Sequence, residues 1–263
     1  MRYFLKLAYN GAPFHGWQIQ PNSISVQATI ETALSTLLRK KIEIVGAGRT
    51  DAGVHAKIMY AHFDCENIIL DKAKFLSSLN SIVGKNIVIN DILPVASDAH
   101  ARFDASGRTY KYFITTRKSP FIKDFCWFTP SSLDVEMMNE VSKILLETTD
   151  FTSFAKLHSD AKTNICKVSE AKWMPANEDK EAWDFLGNLN EGFVFTISAD
   201  RFLRNMVRAI VGTLIEVGRG KMSAKEFKTV IDNKNRCAAG TSMPAHALFL
   251  WDIQYPSSIF LSS

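Results

Sequence analysis

The sequence predicts an α+β protein with mostly antiparallel sheets and helices packed on one face. Three observations support this fold class. Strand-like and helix-like segments follow one another in the order β-α-β-β-α-β over residues 1–104. A similar order recurs over residues 105–263. A chain of 263 residues is also long enough for two such domains.

In the first half, alternating or apolar segments predict strands, and helical spacing of apolar residues predicts helices. The predicted strands are 2–9, 42–47, 55–64 and 87–95, and the predicted helices are 25–40 and 72–83. In the helix over 25–40, the apolar residues Val26, Ile30, Leu34 and Leu37 lie on one face. A glycine-rich turn separates the second and third strands.

The second half repeats this order with a polar insertion between its middle strands. The predicted strands are 108–116, 166–174, 191–199 and 248–255, and the predicted helices are 134–147, 201–217 and 223–232. Each half resembles a ferredoxin-like βαββαβ unit. We therefore expect a boundary near residue 105, with an N-terminal domain over 1–104 and a C-terminal domain over 105–263.

Composition excludes several classes of protein. No apolar run approaches the roughly 18 residues of a membrane span, and the N-terminus lacks the apolar core of a secretory signal. The four cysteines form no CxxC pair, which favours reduced thiols and a cytoplasmic protein. The scattered histidines show no metal-ligand spacing, so we expect no metal site.

The positive charge is spread evenly along the chain. The net charge is +4, with 11 basic and 9 acidic side chains in residues 1–104 and 20 basic and 18 acidic in the rest. No tail holds the excess. A nucleic-acid partner would therefore have to bind local basic patches.

An arginine ridge is expected on the helix predicted over 201–217. At 100° per residue, Arg201, Arg204 and Arg208 fall within about 60° of one another, opposite an apolar face. A solvated face explains this pattern equally well. However, no acids are spaced to pair along the ridge, which leaves the guanidinium donors for phosphate or carboxylate.

Basic and aromatic residues alternate in RTYKYF, residues 108–113. On a strand, Arg108, Tyr110 and Tyr112 share one face, while Lys111 and Phe113 take the other. Packing in a core or at a sheet edge is the ordinary role of such tyrosines. An exposed aromatic on a sheet also stacks unpaired bases in RNA-binding proteins.

A single carboxylate, Asp51, lies in VGAGRTDAGVHA at residues 45–56, among Gly46, Gly48 and Gly53. A turn-forming role is the simplest explanation. No second acid is nearby to form the acid/base pair of a glycosidase. A lone carboxylate can still act as a nucleophile, and the guanidinium of Arg49 would favour its ionised form.

These segments together resemble the tRNA pseudouridine synthase A family along the whole chain. YNGAPFHGWQIQPNSISVQATIETAL (9–34) is similar to the family's N-terminal signature, and GAGRTDAGVHA (46–56) to the segment with its catalytic aspartate. FDASGRTYKYF (103–113) and FLRNMVRAIVGTLIEVGRG (202–220) resemble the segments with its active-site tyrosine and arginine. The catalytic positions then fall on Asp51, Tyr110 and Arg208.

The resemblance implies an isomerase that converts uridine to pseudouridine at tRNA positions 38 to 40, without a cofactor and as a homodimer. Its active-site cleft would lie between the two halves. Asp51 would be catalytic, Tyr110 would stack on the flipped base, Arg49 would contact phosphate or fill the vacated space, and Arg208 would pair with Asp51. Arg201, Arg204 and Arg108 would contact RNA.

One segment departs from the family pattern. TSMPAHALFL (241–250) has Met243, His246 and Ala247 where the family more often has Ala-Pro followed by Gly-Leu. We expect this departure to alter local loop packing and to touch none of the matched catalytic positions.

Two other functions explain parts of this pattern. A non-catalytic RNA-binding protein with two ferredoxin-like units explains the tyrosines and arginines but leaves Asp51 unexplained, because an acid in a phosphate-binding cleft weakens binding. A nucleoside hydrolase would need a metal or a second acid to activate water, and the sequence shows neither.

Overall fold

The protein, as a computed structural model, is described for residues 1–66, 69, 71–157, 162–186 and 191–261. It is an α+β protein whose strand pairs are mostly antiparallel, as the sequence predicts. The strands are β1 Arg2–Tyr9, β2 Val45–Gly46, β3 His55–Asp64, β4 Ile87–Val95, β5 Gly107–Thr115, β6 Trp127–Phe128, β7 Val168–Pro175, β8 Gly192–Ala199 and β9 Leu248–Gln254. The α-helices are α1 Val26–Leu38, α2 Lys72–Val83, α3 Val135–Ser142, α4 Ile144–Glu147, α5 Lys180–Leu186, α6 Met206–Gly218 and α7 Ala224–Asp232. Short 3₁₀ turns lie at 152–154, 236–238, 245–247 and 257–259.

The chain forms two compact units. Unit 1 comprises Met1–Gly107 together with Leu250–Ser263, and unit 2 comprises Arg108–Phe249. The sequence-based division assigned 248–255 to the C-terminal domain, whereas residues 250–263 belong to unit 1.

Unit 1 is built on strands in the order β4-β1-β3-β9, with β2 paired to β3. In β1, alternate residues enter the core, so Leu5 and Leu7 are fully buried. Helix α1 begins at Ser25, whose side chain caps the Ala28 amide, and it buries Ile30 and Leu34. Helix α2 is capped in the same way by Asp71. These strands and helices match the predicted ones closely, except that the strand predicted over 42–47 is only Val45–Gly46.

Unit 2 contains β5-β8-β7 in that order, all antiparallel, with the short β6 parallel to β5. Its core includes Phe113, Trp173 and Phe195, and the last two rings pack 4.8 Å apart. Helix α6 is almost entirely buried beyond its first turn. Helix α7 carries a complete capping box between Ser223 and Glu226.

Two predicted elements of unit 2 differ in the structure. The helix predicted over 134–147 is divided at Lys143 into α3 and α4. The insertion predicted as merely polar contains α5, whose Ala182 amide donates to the Asp179 side chain. An Asp side chain that precedes a helix can cap its first turn, as Asp179 does here. The polar composition of the insertion alone does not reveal this helix. No helix in the described part of the chain is long and apolar enough to cross a membrane.

Candidate active site

Asp51 lies on the turn between β2 and β3 and is half-buried. The turn closes through the Val54 amide, which donates to the Asp51 carbonyl at 3.1 Å. Gly53, inside this turn, has φ of +79°, a conformation that glycine adopts without strain. The carboxylate is therefore attached to a short, closed turn whose shape depends on Gly53.

The residue before Asp51 fastens this turn to the N-terminal segment. Thr50 is buried, and its hydroxyl is 2.8 Å from the Tyr9 hydroxyl. Its carbonyl accepts from the Trp17 amide at 3.2 Å. Because both the side chain and the carbonyl of Thr50 are held, the backbone that enters Asp51 has little freedom.

The glycines around Asp51 differ in what lies beside them. A Cβ at Gly46 would lie 2.4 Å from the Trp17 ring, so Gly46 makes room for a core tryptophan. A Cβ at Gly48 would meet nothing within 4 Å. Two glycines outside the motif lie directly against its backbone. A Cβ would lie 2.0 Å from the Val54 carbonyl oxygen at Gly11 and 2.5 Å from the Thr50 carbonyl oxygen at Gly16, where φ is +91°.

The segment 9–18 is therefore a cradle for the Asp51 turn. The family signature over 9–34 does not by itself indicate a role for these glycines. A signal is present in the sequence, since Gly11 and Gly16 bracket a short loop after a strand. The tertiary structure shows which backbone lies against them.

His55 also belongs to this framework. It is buried, and its Nδ1 accepts from the Gly11 amide at 3.0 Å. The ring nitrogen that accepts this bond carries no proton. Arg49, by contrast, is exposed on the same turn, two residues before Asp51.

Tyr110 lies on β5 in unit 2 and is half-buried. Its ring meets that of Phe202 edge to face, with 5.0 Å between centroids. Beside it, Arg108 donates from its guanidinium to the Asp200 carbonyl at 2.7 Å. On the opposite face of the strand, Lys111 is buried in an ion pair with Asp179.

Tyr112 does not share the environment of Tyr110. Its side chain is fully buried, and its hydroxyl donates to the Pro244 carbonyl at 3.1 Å. Burial raises the pKa of Tyr112 far above its ordinary value. The core-packing interpretation is therefore correct for Tyr112, and this ring offers no face to a base.

Arg208 lies in the first turn of α6 and is held at two points. Its Nε donates to the Met243 carbonyl at 2.6 Å, and the Met243 amide donates to the Arg208 carbonyl at 3.1 Å. The expectation that the 241–250 departure touches no matched position is therefore wrong. Both contacts use the Met243 backbone, so the change of side chain leaves them available.

The prediction that Arg201, Arg204 and Arg208 form a ridge on one helix is wrong. Helix α6 starts at Met206, and Asn205 before it has φ of +66°, so Arg201 and Arg204 precede the helix. Asparagine is among the few residues that adopt this left-handed conformation readily. A left-handed residue interrupts the helical geometry that would have aligned the three arginines.

A second hydrogen-bonded set holds the start of α6. The Asn205 side chain donates to the Ser242 hydroxyl at 2.6 Å, and Arg236 donates to the same oxygen at 2.7 Å. Gly240 and Gly212 allow the 240–243 segment to approach the helix, because a Cβ at Gly212 would lie 1.8 Å from the Thr241 carbonyl oxygen. This segment, where the sequence departs from the family pattern, positions the backbone of Arg208.

Within the described residues, no group of three His, Cys, Asp or Glu side chains could hold a metal ion. All four cysteines are free thiols, and burial raises the pKa of Cys126 and Cys166 to about 12. At that pKa both remain protonated near neutrality. They are poor nucleophiles and ligands as a result.

The two units thus each present polar residues on a rigid support: Asp51 and Arg49 on the turn of unit 1, and Tyr110, Arg108 and Arg208 on β5 and α6 of unit 2. A family model for tRNA pseudouridine synthase matches residues 142–256. The class of protein is therefore that of the pseudouridine synthases, which are isomerases.

Relatives that span the whole chain identify the family more closely. The sequence is 54% identical over 259 residues to tRNA pseudouridine synthase A of Bacteroides fragilis, covering 98% of each chain. It is 53% identical to the protein of that name in Parabacteroides distasonis, with the same coverage. The identity to the Bacillus licheniformis protein is 36%, over 97% of this chain and 99% of the relative. The chain belongs to the tRNA pseudouridine synthase A family.

Proposed function

We propose that the protein isomerises uridine to pseudouridine in tRNA, at positions 38 to 40 of the anticodon stem-loop. The observation that carries this proposal is the support of the Asp51 turn in a chain of this family. Thr50 is held by hydrogen bonds, and Gly11 and Gly16 pack against the turn's backbone. A turn that only reverses the chain does not need this much support, whereas a catalytic carboxylate does, because the reaction rate depends on its geometry.

The reaction needs little beyond a nucleophile and a bound base. The bond between uracil N1 and ribose C1′ breaks, the base turns, and a bond forms from C5 to C1′. The C5 proton leaves for water, and N1 takes up a proton from water, so substrate and product have the same atoms. No electrons are gained or lost overall, so no redox cofactor is required. We assign the nucleophile to Asp51, by attack on either the sugar or the ring.

The uridine must leave its stack before Asp51 can reach it, which costs a few kcal/mol. We assign Tyr110 to stacking on the flipped base. This role is supported by the ring's half-exposed position on β5 and by its edge contact with Phe202, which fixes its plane. Arg49 is assigned to the phosphate or to the space that the base vacates.

Arg208 is assigned to pairing with Asp51. The role is supported by the way its Nε is fixed on the Met243 carbonyl at 2.6 Å, which limits the directions that the rest of the guanidinium can take. Arg201, Arg204 and Arg108 are assigned to RNA, with less support for Arg108, since its guanidinium already donates to the Asp200 carbonyl.

The finer architecture belongs to the same proposal. The order β4-β1-β3, with β2 beside β3, supports a ferredoxin-like arrangement for the N-terminal half. The homodimer is implied by the family resemblance, and sedimentation of the purified protein tests it. The cytoplasmic location is inferred from the four cysteines, which form no CxxC pair.

Tritium release tests the function directly. Transfer RNA carrying tritium at uracil C5 is incubated with the enzyme, with and without excess chelator, and tritiated water is counted. We expect release in both cases, localised to positions 38 to 40 by sequencing. Binding of tRNA without any release would favour the non-catalytic RNA-binding protein instead.

A further inference from the structure

A second basic and aromatic surface lies in unit 2, on the segment that follows β5. Residues 117–123, here called the basic loop, carry Phe121 at their tip. Phe121 is 90% exposed, more than any other large hydrophobic side chain in the described parts of the chain. Burying a phenylalanine stabilises a fold, so this exposed ring leaves that stabilisation unused.

The basic loop also concentrates positive charge. It contains Arg117, Lys118 and Lys123, all exposed, and the exposed Asp124 is the first acidic residue after it. Among the residues that the structure describes, Arg117 forms an ion pair only with Glu191, at 3.9 Å, which is a weak contact between exposed groups. Neither lysine forms an ion pair with any residue that the structure describes. Three cations within seven residues stand out in a chain whose net charge is only +4.

Both ends of the loop are anchored. At the start, the Thr115 hydroxyl lies 2.9 Å from the Arg117 carbonyl, and the Thr116 amide donates to the Glu191 carbonyl at 3.2 Å. At the end, the Ile122 carbonyl accepts from the Cys126 amide at 3.0 Å, and Cys126 is buried. The Phe121 amide donates to the Ser119 hydroxyl. The exposed ring therefore stands on a supported turn.

We propose that the basic loop is an RNA-binding surface on which Phe121 stacks against an unpaired nucleotide of the tRNA while the three cations contact neighbouring phosphates. An aromatic face beside several cations is the combination that binds single-stranded nucleic acid with little base preference. The inference rests on the proposed function for the choice of tRNA as partner. It adds an attachment point distinct from Asp51, Tyr110 and Arg208.

A second exposed phenylalanine provides the comparison. Phe103 is 73% exposed, but its ring packs against His100 at 4.2 Å, and the Arg102 guanidinium lies 5.6 Å from the ring centroid. Asp98 and Asp104 lie close by in the sequence and outnumber this one arginine. Phe103 is therefore a control: an exposed phenylalanine whose ring already contacts two side chains and is less available for stacking.

The experiment measures tRNA affinity, its salt dependence and pseudouridine formation for matched variants. Phe121→Leu should weaken binding about 10-fold, because stacking is lost while bulk is kept, and Phe121→Trp should restore it. Phe103→Leu should bind as the wild type does. The triple variant Arg117→Ala, Lys118→Ala, Lys123→Ala should lower the log–log salt slope by about 2 units.

The charge control removes three exposed lysines elsewhere in unit 2: Lys143→Ala, Lys221→Ala and Lys228→Ala. This control variant loses the same net charge, and it should keep most of the wild-type salt slope of tRNA binding. Equal effects of the two triple variants would overturn the proposal, as would wild-type affinity in Phe121→Leu. A shift of Phe121→Leu to a different oligomeric state would also overturn it and assign the loop to contact between protein copies. If the wild type binds tRNA but forms no pseudouridine, the proposed function fails. The affinities and salt slopes of the variants would still test whether the basic loop binds RNA.

Discussion

The Asp51 turn of unit 1 and the Arg208 helix of unit 2 hold their polar side chains by different means. The Asp51 turn depends on backbone packed against backbone, with Gly11 and Gly16 at distances that no other residue could accept. Arg208 sits on a regular helix, and hydrogen bonds that join Arg208 to Met243 and Asn205 to Ser242 hold that helix start to the 240–243 segment.

This difference predicts different sensitivities. Close backbone packing fails as soon as one methyl group is added, because carbonyl oxygens cannot move aside as a flexible side chain can. A hydrogen-bonded helix end loses its contacts one at a time. Substitutions around Asp51 should therefore act through shape, and those around Arg208 through individual interactions.

The largest effect is expected at Asp51. Asp51→Asn removes the nucleophile while keeping a residue that suits a turn, so turnover should fall more than 100-fold and tRNA affinity should change by only a few-fold. Single-turnover rates and binding of labelled tRNA provide the measurement. Asp98→Asn, an exposed acid of the same unit, is the control. Turnover above a hundredth of the wild-type rate would exclude Asp51 as the nucleophile.

The next largest effect is expected at Arg208, whose role in turnover differs from the binding role of the other arginines of unit 2. Arg208→Ala should lower turnover on the order of 10-fold or more with a small change in affinity, because it removes the predicted charge partner of Asp51. Arg204→Ala and Arg201→Ala should instead weaken binding and flatten the salt dependence by somewhat less than one log–log unit each. A change in salt slope alone for Arg208→Ala would make it another phosphate contact.

Adding one methyl group tests the packing of the Asp51 turn. Gly16→Ala places a Cβ 2.5 Å from the Thr50 carbonyl oxygen at φ of +91°, so it should destabilise the protein by about 3 kcal/mol and reduce turnover. Gly48→Ala has open space and should leave stability and activity near wild type. Denaturant unfolding of the two variants makes the comparison. Equal stability for both would mean that the close approach at Gly16 is unimportant.

A pH effect on stability is expected in unit 1 from His62. Burial, with Arg2 and His100 nearby, lowers the pKa of His62 to about 4, although Asp64 and Asp104 oppose the shift. Its Nδ1 accepts from the Ala101 amide at 3.1 Å. Since the unfolded chain binds the proton more readily, stability should fall as pH drops from about 6.5 to 4, by about 2 kcal/mol at pH 5.

His62→Asn keeps an acceptor for the Ala101 amide but does not titrate in this range. Most of the pH slope between 6.5 and 5 should therefore disappear in this variant. A residual slope is expected from His100, whose pKa is also lowered by burial. A wild-type slope in His62→Asn would assign the pH dependence to other groups.

The smallest effect is expected at Tyr110. If its role is stacking, Tyr110→Phe should change tRNA binding and turnover less than 2-fold, whereas Tyr110→Ala should weaken productive binding by about 10-fold. Titration of uridine-containing and pseudouridine-containing stem-loops gives the affinities. Loss of turnover in Tyr110→Phe equal to that in Tyr110→Ala would show that the hydroxyl takes part in the chemistry.

The sequence by itself determined most of the secondary structure and the family. Periodicity located β3, β4 and α2 at their observed bounds, because apolar spacing reports directly on which face is buried. The motif around Asp51 and the segments with Tyr110 and Arg208 were enough to indicate the reaction.

Tertiary structure decided what those patterns leave open. The same apolar spacing continues through residues 201–205, yet Asn205 turns left-handed where Ser242 binds its side chain, so the ridge of three arginines does not form. Tyr110 and Tyr112 share one face of β5, yet Tyr112 is fully buried with its hydroxyl on the Pro244 carbonyl, whereas Tyr110 is half-buried. Gly11 and Gly16 became meaningful once Val54 and Thr50 were seen against them. Contacts between residues far apart in the chain settled each case, and local sequence carries no record of such contacts.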